Sequence, residues 1–146
     1  MQSLTIVALD PGVTTGWADL NRERYSTRQL TGEHHVELWD ALYNLEPDIV
    51  VCERFTYQRR DKVILKSVEY IGVVTLYCEQ YKVPLRMQTP SQAKNLWTDN
   101  KLKLVGQYKP NQPHANDAMR HLLYCETVHL KDLKWISRLK EASQQS

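Results

Sequence analysis

Leu4, Thr5, Ile6, Val7, Ala8 and Leu9 form an unbroken run of apolar and β-branched residues, closed by Asp10-Pro11-Gly12. Such a run ending in turn residues predicts a buried strand. Apolar residues resume over 16–20, and 25–31 alternates weakly, so the first thirty residues read as an antiparallel meander. Over 33–45 the apolar positions Val36, Leu38, Trp39, Ala41, Leu42 and Leu45 fall at helical spacing, and Pro47 stops the helix. Residues 48–52 form another short apolar strand. Because a helix separates it from the meander, it is expected to lie parallel to the first strand, with Glu53 at its C-terminal end.

From 61 to 81, Ile64, Val68, Ile71, Thr75 and Cys78 recur every three or four residues, which predicts one long helix with a continuous stripe. A last strand follows over 85–89. Then come a short helix from Ser91, a Lys-rich loop over 101–109, a helix over 114–127 and an amphipathic helix over 130–139. The order β-β-β-α-β-α-β followed by helices defines an α/β fold, a central five-stranded mixed sheet flanked by α-helices. It occupies a single domain over 1–141, with 142–146 as an unstructured tail. Asp10 and Glu53 then leave the carboxyl ends of neighbouring parallel strands, the rim where α/β sheets place their sites.

Composition adds limits. The 146 residues are 42% hydrophobic and 25% charged, which excludes a disordered, collagen-like or membrane-spanning chain. The net charge of +2 conceals a split: residues 1–53 hold three Lys/Arg against nine Asp/Glu (−6), and residues 54–146 hold sixteen against eight (+8). This points to a basic surface for a polyanion beside an acidic region able to hold cations; two differently solvated faces would give the same totals. Cys52, Cys78 and Cys125 show no C-x-x-C spacing, as expected of free thiols in a reducing compartment. No apolar stretch approaches the roughly 18 residues of a membrane span, and no signal segment is recognisable, so a cytoplasmic protein without a membrane partner is expected.

Each acidic candidate has an ordinary explanation when taken alone. Asp10 before Pro-Gly initiates a turn, Glu53 is a solvated strand end, and His114 and Asp117 are first-turn residues, Asp117 being favourable near the positive end of a helix dipole. Together they suggest more. His114 and Asp117 are three apart and share one helix face, and the small Ala115 and Ala118 let that helix press onto the sheet. If the helix crosses the strand rim, Asp10, Glu53, His114 and Asp117 converge on one pocket. Three close carboxylates repel, and a bound divalent metal is the usual compensation. Oxygen ligands with one imidazole suit Mg²⁺ or Mn²⁺ better than zinc.

Asp10-Pro11-Gly12 within Ala-Leu-Asp-Pro-Gly-Val-Thr-Thr-Gly-Trp-Ala, Glu53-Arg54-Phe55 after Val-Val-Cys, and Pro113-His114-Ala115-Asn116-Asp117-Ala118 resemble the three catalytic blocks of RuvC-type Holliday junction resolvases. These belong to the ribonuclease H-like superfamily, and the short form here resembles copies carried by bacteriophages, which act in the cytoplasm of the bacterial host. Order and spacing match over nearly the whole chain except about the last fifteen residues. The resemblance implies that Asp10, Glu53 and Asp117 ligate two metal ions, with His114 at a position that is Asp in many members and His in some. His114 is then either a ligand or the proton acceptor for attacking water, and both roles weaken once the imidazole protonates. The resemblance further implies in-line hydrolysis leaving 5′-phosphate and 3′-hydroxyl ends, and a homodimer built on the helix over 61–81, since a junction has two strands to cut symmetrically.

Two basic clusters supply a DNA surface. Arg54, Arg59, Arg60 and Lys62 follow the Glu53 strand with Phe55 and Tyr57 among them, and Lys94, Lys101 and Lys103 follow the last strand. Phosphate contacts from these residues would be sequence-independent and salt-sensitive, while the aromatics would stack on unpaired bases. For Phe55 core packing is an equal alternative, and for the lysines a solvated loop. The resulting expectation is an endonuclease that resolves four-way junctions by paired nicks. Alternatives are a ribonuclease H-fold nuclease acting on forks, flaps or RNA–DNA hybrids, an actin-like kinase, which needs two such domains, and a non-catalytic junction binder, which has no use for three repelling acids.

Overall fold

The computed structural model describes residues 3–55 and 62–145. The meander is present as β1 (Ile6–Asp10), β2 (Thr15–Asn21) and β3 (Arg24–Leu30), followed by α1 (His35–Leu45). β4 (Ile49–Glu53), α2 (Lys62–Tyr81) and β5 (Leu85–Gln88) complete a five-stranded sheet in the order β3-β2-β1-β4-β5. β1, β2 and β3 pair antiparallel, whereas β1, β4 and β5 run parallel, as the intervening helices require. After the sheet come α3 (Pro90–Leu96), α4 (Asp99–Leu104), α5 (Pro113–Tyr124), a π-helical turn over Cys125–His129, and α6 (Lys134–Gln144).

Strand alternation divides the interior into two cores. Val7, Leu9, Val50 and Cys52 face α1 and α2, meeting Leu38, Leu42, Tyr70, Val74 and Tyr77. Ile6, Ala8 and Val51 face the opposite layer, meeting Trp97, Leu102, Ala118, Met119, Leu122 and Trp135. In the parallel pairs Leu9 lies opposite Cys52, and Glu53 opposite Gln88. The period of two therefore sends Asp10, Glu53 and Gln88 to the α5 side, at the carboxyl rim.

Four expectations need correction. Of the stripe expected on α2, Cys78 is buried and Ile71 packs against the core, the Ile64 side chain lies outside the described residues, and Val68 is exposed; Tyr70, Val74 and Tyr77 complete the buried face. Large rings help to fill that face, since Tyr70 stacks on the buried His34 at 3.8 Å between ring centroids. The expected Lys-rich loop begins as α4, whose Thr98 side chain accepts from the Lys101 N–H and whose Leu102 is fully buried. The helix expected over 114–127 widens into the π turn after Tyr124. The last helix starts at Lys134, after Lys131 takes a positive φ, and continues to Gln144 through residues expected as a tail. All three cysteines are free and buried. Among the described residues no helix is long and apolar enough to cross a membrane.

Candidate active site

α5 reaches the rim because β2 and β3 receive it. A Cβ at Gly16 would overlap the backbone carbonyl of His114, so only glycine on β2 admits this approach. Ala115 and Ala118 are fully buried at the same contact. Pro113 opens the helix, and Gln112 provides no side-chain cap. Gln29 of β3 caps it from across the sheet: its Oε1 accepts from the backbone N–H groups of His114 (3.1 Å) and Ala115 (3.3 Å). The loop before α5 is closed by Asn116, which accepts from Lys109 N at 2.8 Å and donates to Lys109 O at 2.9 Å.

The turn after Asp10 is fixed from the opposite layer. Thr15 Oγ1 accepts from Gly12 N at 3.3 Å and lies 2.6 Å from His34 Nε2, while His34 Nδ1 donates to Gly32 O at 2.9 Å. Thr15 and His34 are both buried, so a hydrogen-bonded chain reaching from the interior to Gly32 at the surface holds the backbone that carries Asp10.

The four expected residues come together. Asp10 is mostly buried and its Oδ2 lies 3.3 Å from His114 Nδ1. Burial pushes the Asp10 carboxyl up to about 6, aided by the neighbouring Glu53 and Asp117 and opposed by His114. Asp117 is likewise raised, chiefly by burial. Burial also pushes Glu53 upward, but His121, Asp10 and the Lys94 ammonium outweigh it and hold this carboxyl below its ordinary range. His114 is raised, mainly by its hydrogen bond to Asp10.

Sequence reasoning missed two partners of these acids. His121 Nε2 donates to Glu53 Oε2 at 3.0 Å, and Arg120 Nη1 donates to Asp117 Oδ1 at 2.6 Å. Arg120 also pairs with Asp99 and donates through Nε to the Trp97 carbonyl at 2.7 Å. A signal was present: both follow Asp117 by three or four residues, and His114, Asp117 and His121 share one helix face. One oxygen of each acid is thus engaged by a group on α5. Among the described residues no three His, Cys, Asp or Glu side chains close round a point as they would around an ion. The donor set nevertheless fits a hard divalent cation, since three carboxyl groups cluster here and burial destabilises two of them, Asp10 and Asp117, as anions.

The basic candidates separate. Lys94 on α3 is exposed, and its charge acts on both Glu53 and Asp117. It lines a cavity of about 600 Å³ with Thr98, Tyr108, Asn116, Asp117 and Arg120. Lys101 instead donates its ammonium to the Leu96 carbonyl at 3.2 Å, capping α3, and Lys103 lies 4.7 Å from the centre of the Tyr108 ring. Arg54 is exposed at the rim and Phe55 is half-buried. Tyr57, Arg59, Arg60 and the side chain of Lys62 lie outside the described residues.

Neither a protein-family model nor a curated protein sequence matches this chain. Solved structures do. The mixed sheet and its flanking helices share the fold of solved Holliday junction resolvases. RuvC from Thermus thermophilus in complex with a Holliday junction substrate aligns with a TM-score of 0.72 at 16% identity, over 89% of this chain and 97% of its own. A second Thermus thermophilus RuvC structure gives 0.64 at 17% identity, over 88% and 97%. The fowlpox virus Holliday junction resolvase gives 0.58 at 12%, over 86% and 99%.

Proposed function

We propose that this protein is a divalent-metal-dependent endonuclease that resolves four-way DNA junctions by paired symmetric nicks, leaving 5′-phosphate and 3′-hydroxyl ends. The observation that carries this reading is the gathering of Asp10, Glu53 and Asp117 on the carboxyl rim of a fold shared with resolvases solved with junction DNA. Asp10, Glu53 and Asp117 would hold Mg²⁺ or Mn²⁺, two ions per site; when bound, these lower the pKa of water and offset charge on the phosphodiester. His114 has its Nδ1 tied to Asp10 and its side chain 45% exposed, which favours the role of proton acceptor over that of ligand. The Lys94 ammonium is assigned to the phosphate next to the scissile bond. Arg54, Arg59, Arg60 and Lys62 are assigned to flanking phosphates, and Phe55 and Tyr57 to unpaired bases. Lys101 and Lys103, turned onto their own protein, are secondary contacts.

Two opposed nicks need two such sites, and the protein is proposed to act as a homodimer through α2. Leu65 (65% exposed), Val68 (46%) and Leu76 (57%) recur with Gly72 along one outward face of that helix. A Cβ at Gly72 would meet nothing within 4 Å, leaving room for close approach.

The test compares the native protein with Asp10→Asn on a four-way junction, a fork, linear duplex and an RNA–DNA hybrid, each in Mg²⁺ and in Mn²⁺. Junction cutting lost in the variant, with linear duplex left intact by both proteins, is the expected result. Equal cutting of duplex and junction would remove the resolvase reading, and undiminished activity of Asp10→Asn would remove the proposed site.

A further inference from the structure

His121 is an imidazole that the proposed reaction does not use, although it sits where it costs most to keep. It is 1% exposed, and so is Gln88 beside it. Burying two polar side chains in this layer is unfavourable, and here both ring nitrogens of His121 are engaged while Gln88 Nε2 finds no partner among the described residues. Both line up on one acid. Gln88 ends β5, opposite Glu53 at the end of β4, and its Oε1 lies 2.9 Å from His121 Nδ1. The other ring nitrogen reaches Glu53 Oε2 at 3.0 Å. A carboxylate only accepts, so the proton on Nε2 points at Glu53.

Glu53 has reason to be held. Its side chain has one more rotatable bond than an aspartate and lies beside two other acids. His121 ties Oε2 to the ring, and the same carboxyl is hydrogen-bonded to Asp10. Gln88 in turn fixes the ring plane, so the line Gln88–His121–Glu53 runs from one strand end through α5 to the next. Partners of this kind behind a ligating carboxylate typically govern metal affinity by roughly tenfold to a hundredfold.

We infer that His121 is a positioning residue that presets the Glu53 carboxylate for divalent metal, with Gln88 as its anchor. The inference rests on the reading of the acid cluster as a metal site but not on junction cleavage. Two isosteric variants separate it from a packing role. His121→Gln places an amide N–H near the position of Nε2 and still reaches Glu53; His121→Asn places one near Nδ1 and reaches only Gln88. Both keep a buried polar side chain, so a merely structural role would treat them alike.

Mn²⁺ alone is titrated into the DNA-free protein, with binding followed by loss of the free-ion electron paramagnetic resonance signal and folding by circular dichroism. His121→Gln is expected to bind within about threefold of native, and His121→Asn to need roughly tenfold to a hundredfold more Mn²⁺. Equal Mn²⁺ binding by the two variants, whether both native-like or both weakened, would overturn the inference. If either fails to fold, Gln88→Leu at the far end of the line replaces it, and native Mn²⁺ affinity in that variant would equally overturn it. In junction cleavage the loss in His121→Asn is expected in kcat with KM unchanged. A native protein that binds Mn²⁺ but cuts no junction would remove the proposed function while leaving the Mn²⁺ comparison decisive for His121.

Discussion

At Asp10 the competition among burial, like charge and a single imidazole sets a pH response. The folded carboxyl titrates near 6 instead of its ordinary 3.8, so folding favours the protonated form. The stability this contributes is complete below 3.8 and is lost as the pH rises through about 6. His114, raised from 6.5, acts in the same direction at slightly higher pH. Glu53, lowered from 4.5, contributes in the opposite sense, and its share is lost only as the pH falls through its depressed value. A divalent cation favours the ionised acids, so the rise in Tm caused by Mn²⁺ is expected to be small at pH 5 and larger at pH 7. Asp10→Asn should flatten that difference. Thermal scans with and without Mn²⁺ at the two pH values check this, and an equal rise at both would count against it.

α5 is the element on which the site depends, and its placement was only partly readable from sequence. The i, i+3 spacing of His114 and Asp117 and the alanines beside them pointed to a helix face pressed on the sheet, which is how α5 packs. Arg120 and His121 were on the same pattern, but a basic residue after an acid reads as a surface pair until burial is known. Gly16 stood within the motif around Asp10 and Gln29 carried no local signal, but what each does is fixed by residues about a hundred positions away. α4 was missed because a six-residue helix has too few apolar positions to show a period, and the buried face of α2 was read only in part because aromatic rings fill it beside the aliphatic positions. Two outcomes follow at this scale. Gln29→Ala is expected to remove the α5 cap and lower stability by about 1 kcal/mol, measured by denaturant unfolding. Gly16→Ala is expected to move the start of α5 off β2, reducing junction cleavage much more than junction binding; a variant cleaving at the native rate would mean that α5 tolerates the shift.

For the whole molecule, the two cores assign the two layers different tasks. One layer, α1 and α2, leaves an apolar outward face; the other, α3 to α6, carries Asp117, His114 and Lys94. Val68→Asp combined with Leu76→Asp is therefore expected to leave the Mn²⁺ affinity unchanged while converting a dimer to a monomer in sedimentation. The same variant should turn paired cuts in a junction into single nicks, and a native protein that sediments as a monomer at micromolar concentration would exclude the α2 dimer. The span of chain between the acids has a further consequence. Asp10 and Glu53 belong to a parallel pair, but the partners that make their proximity tolerable, together with Asp117, arrive with residues 113–124. Contacts across so long a loop form late in folding. On the proposed function, a growing chain on the ribosome, surrounded by RNA, is expected to lack a competent centre until its last third has emerged and docked.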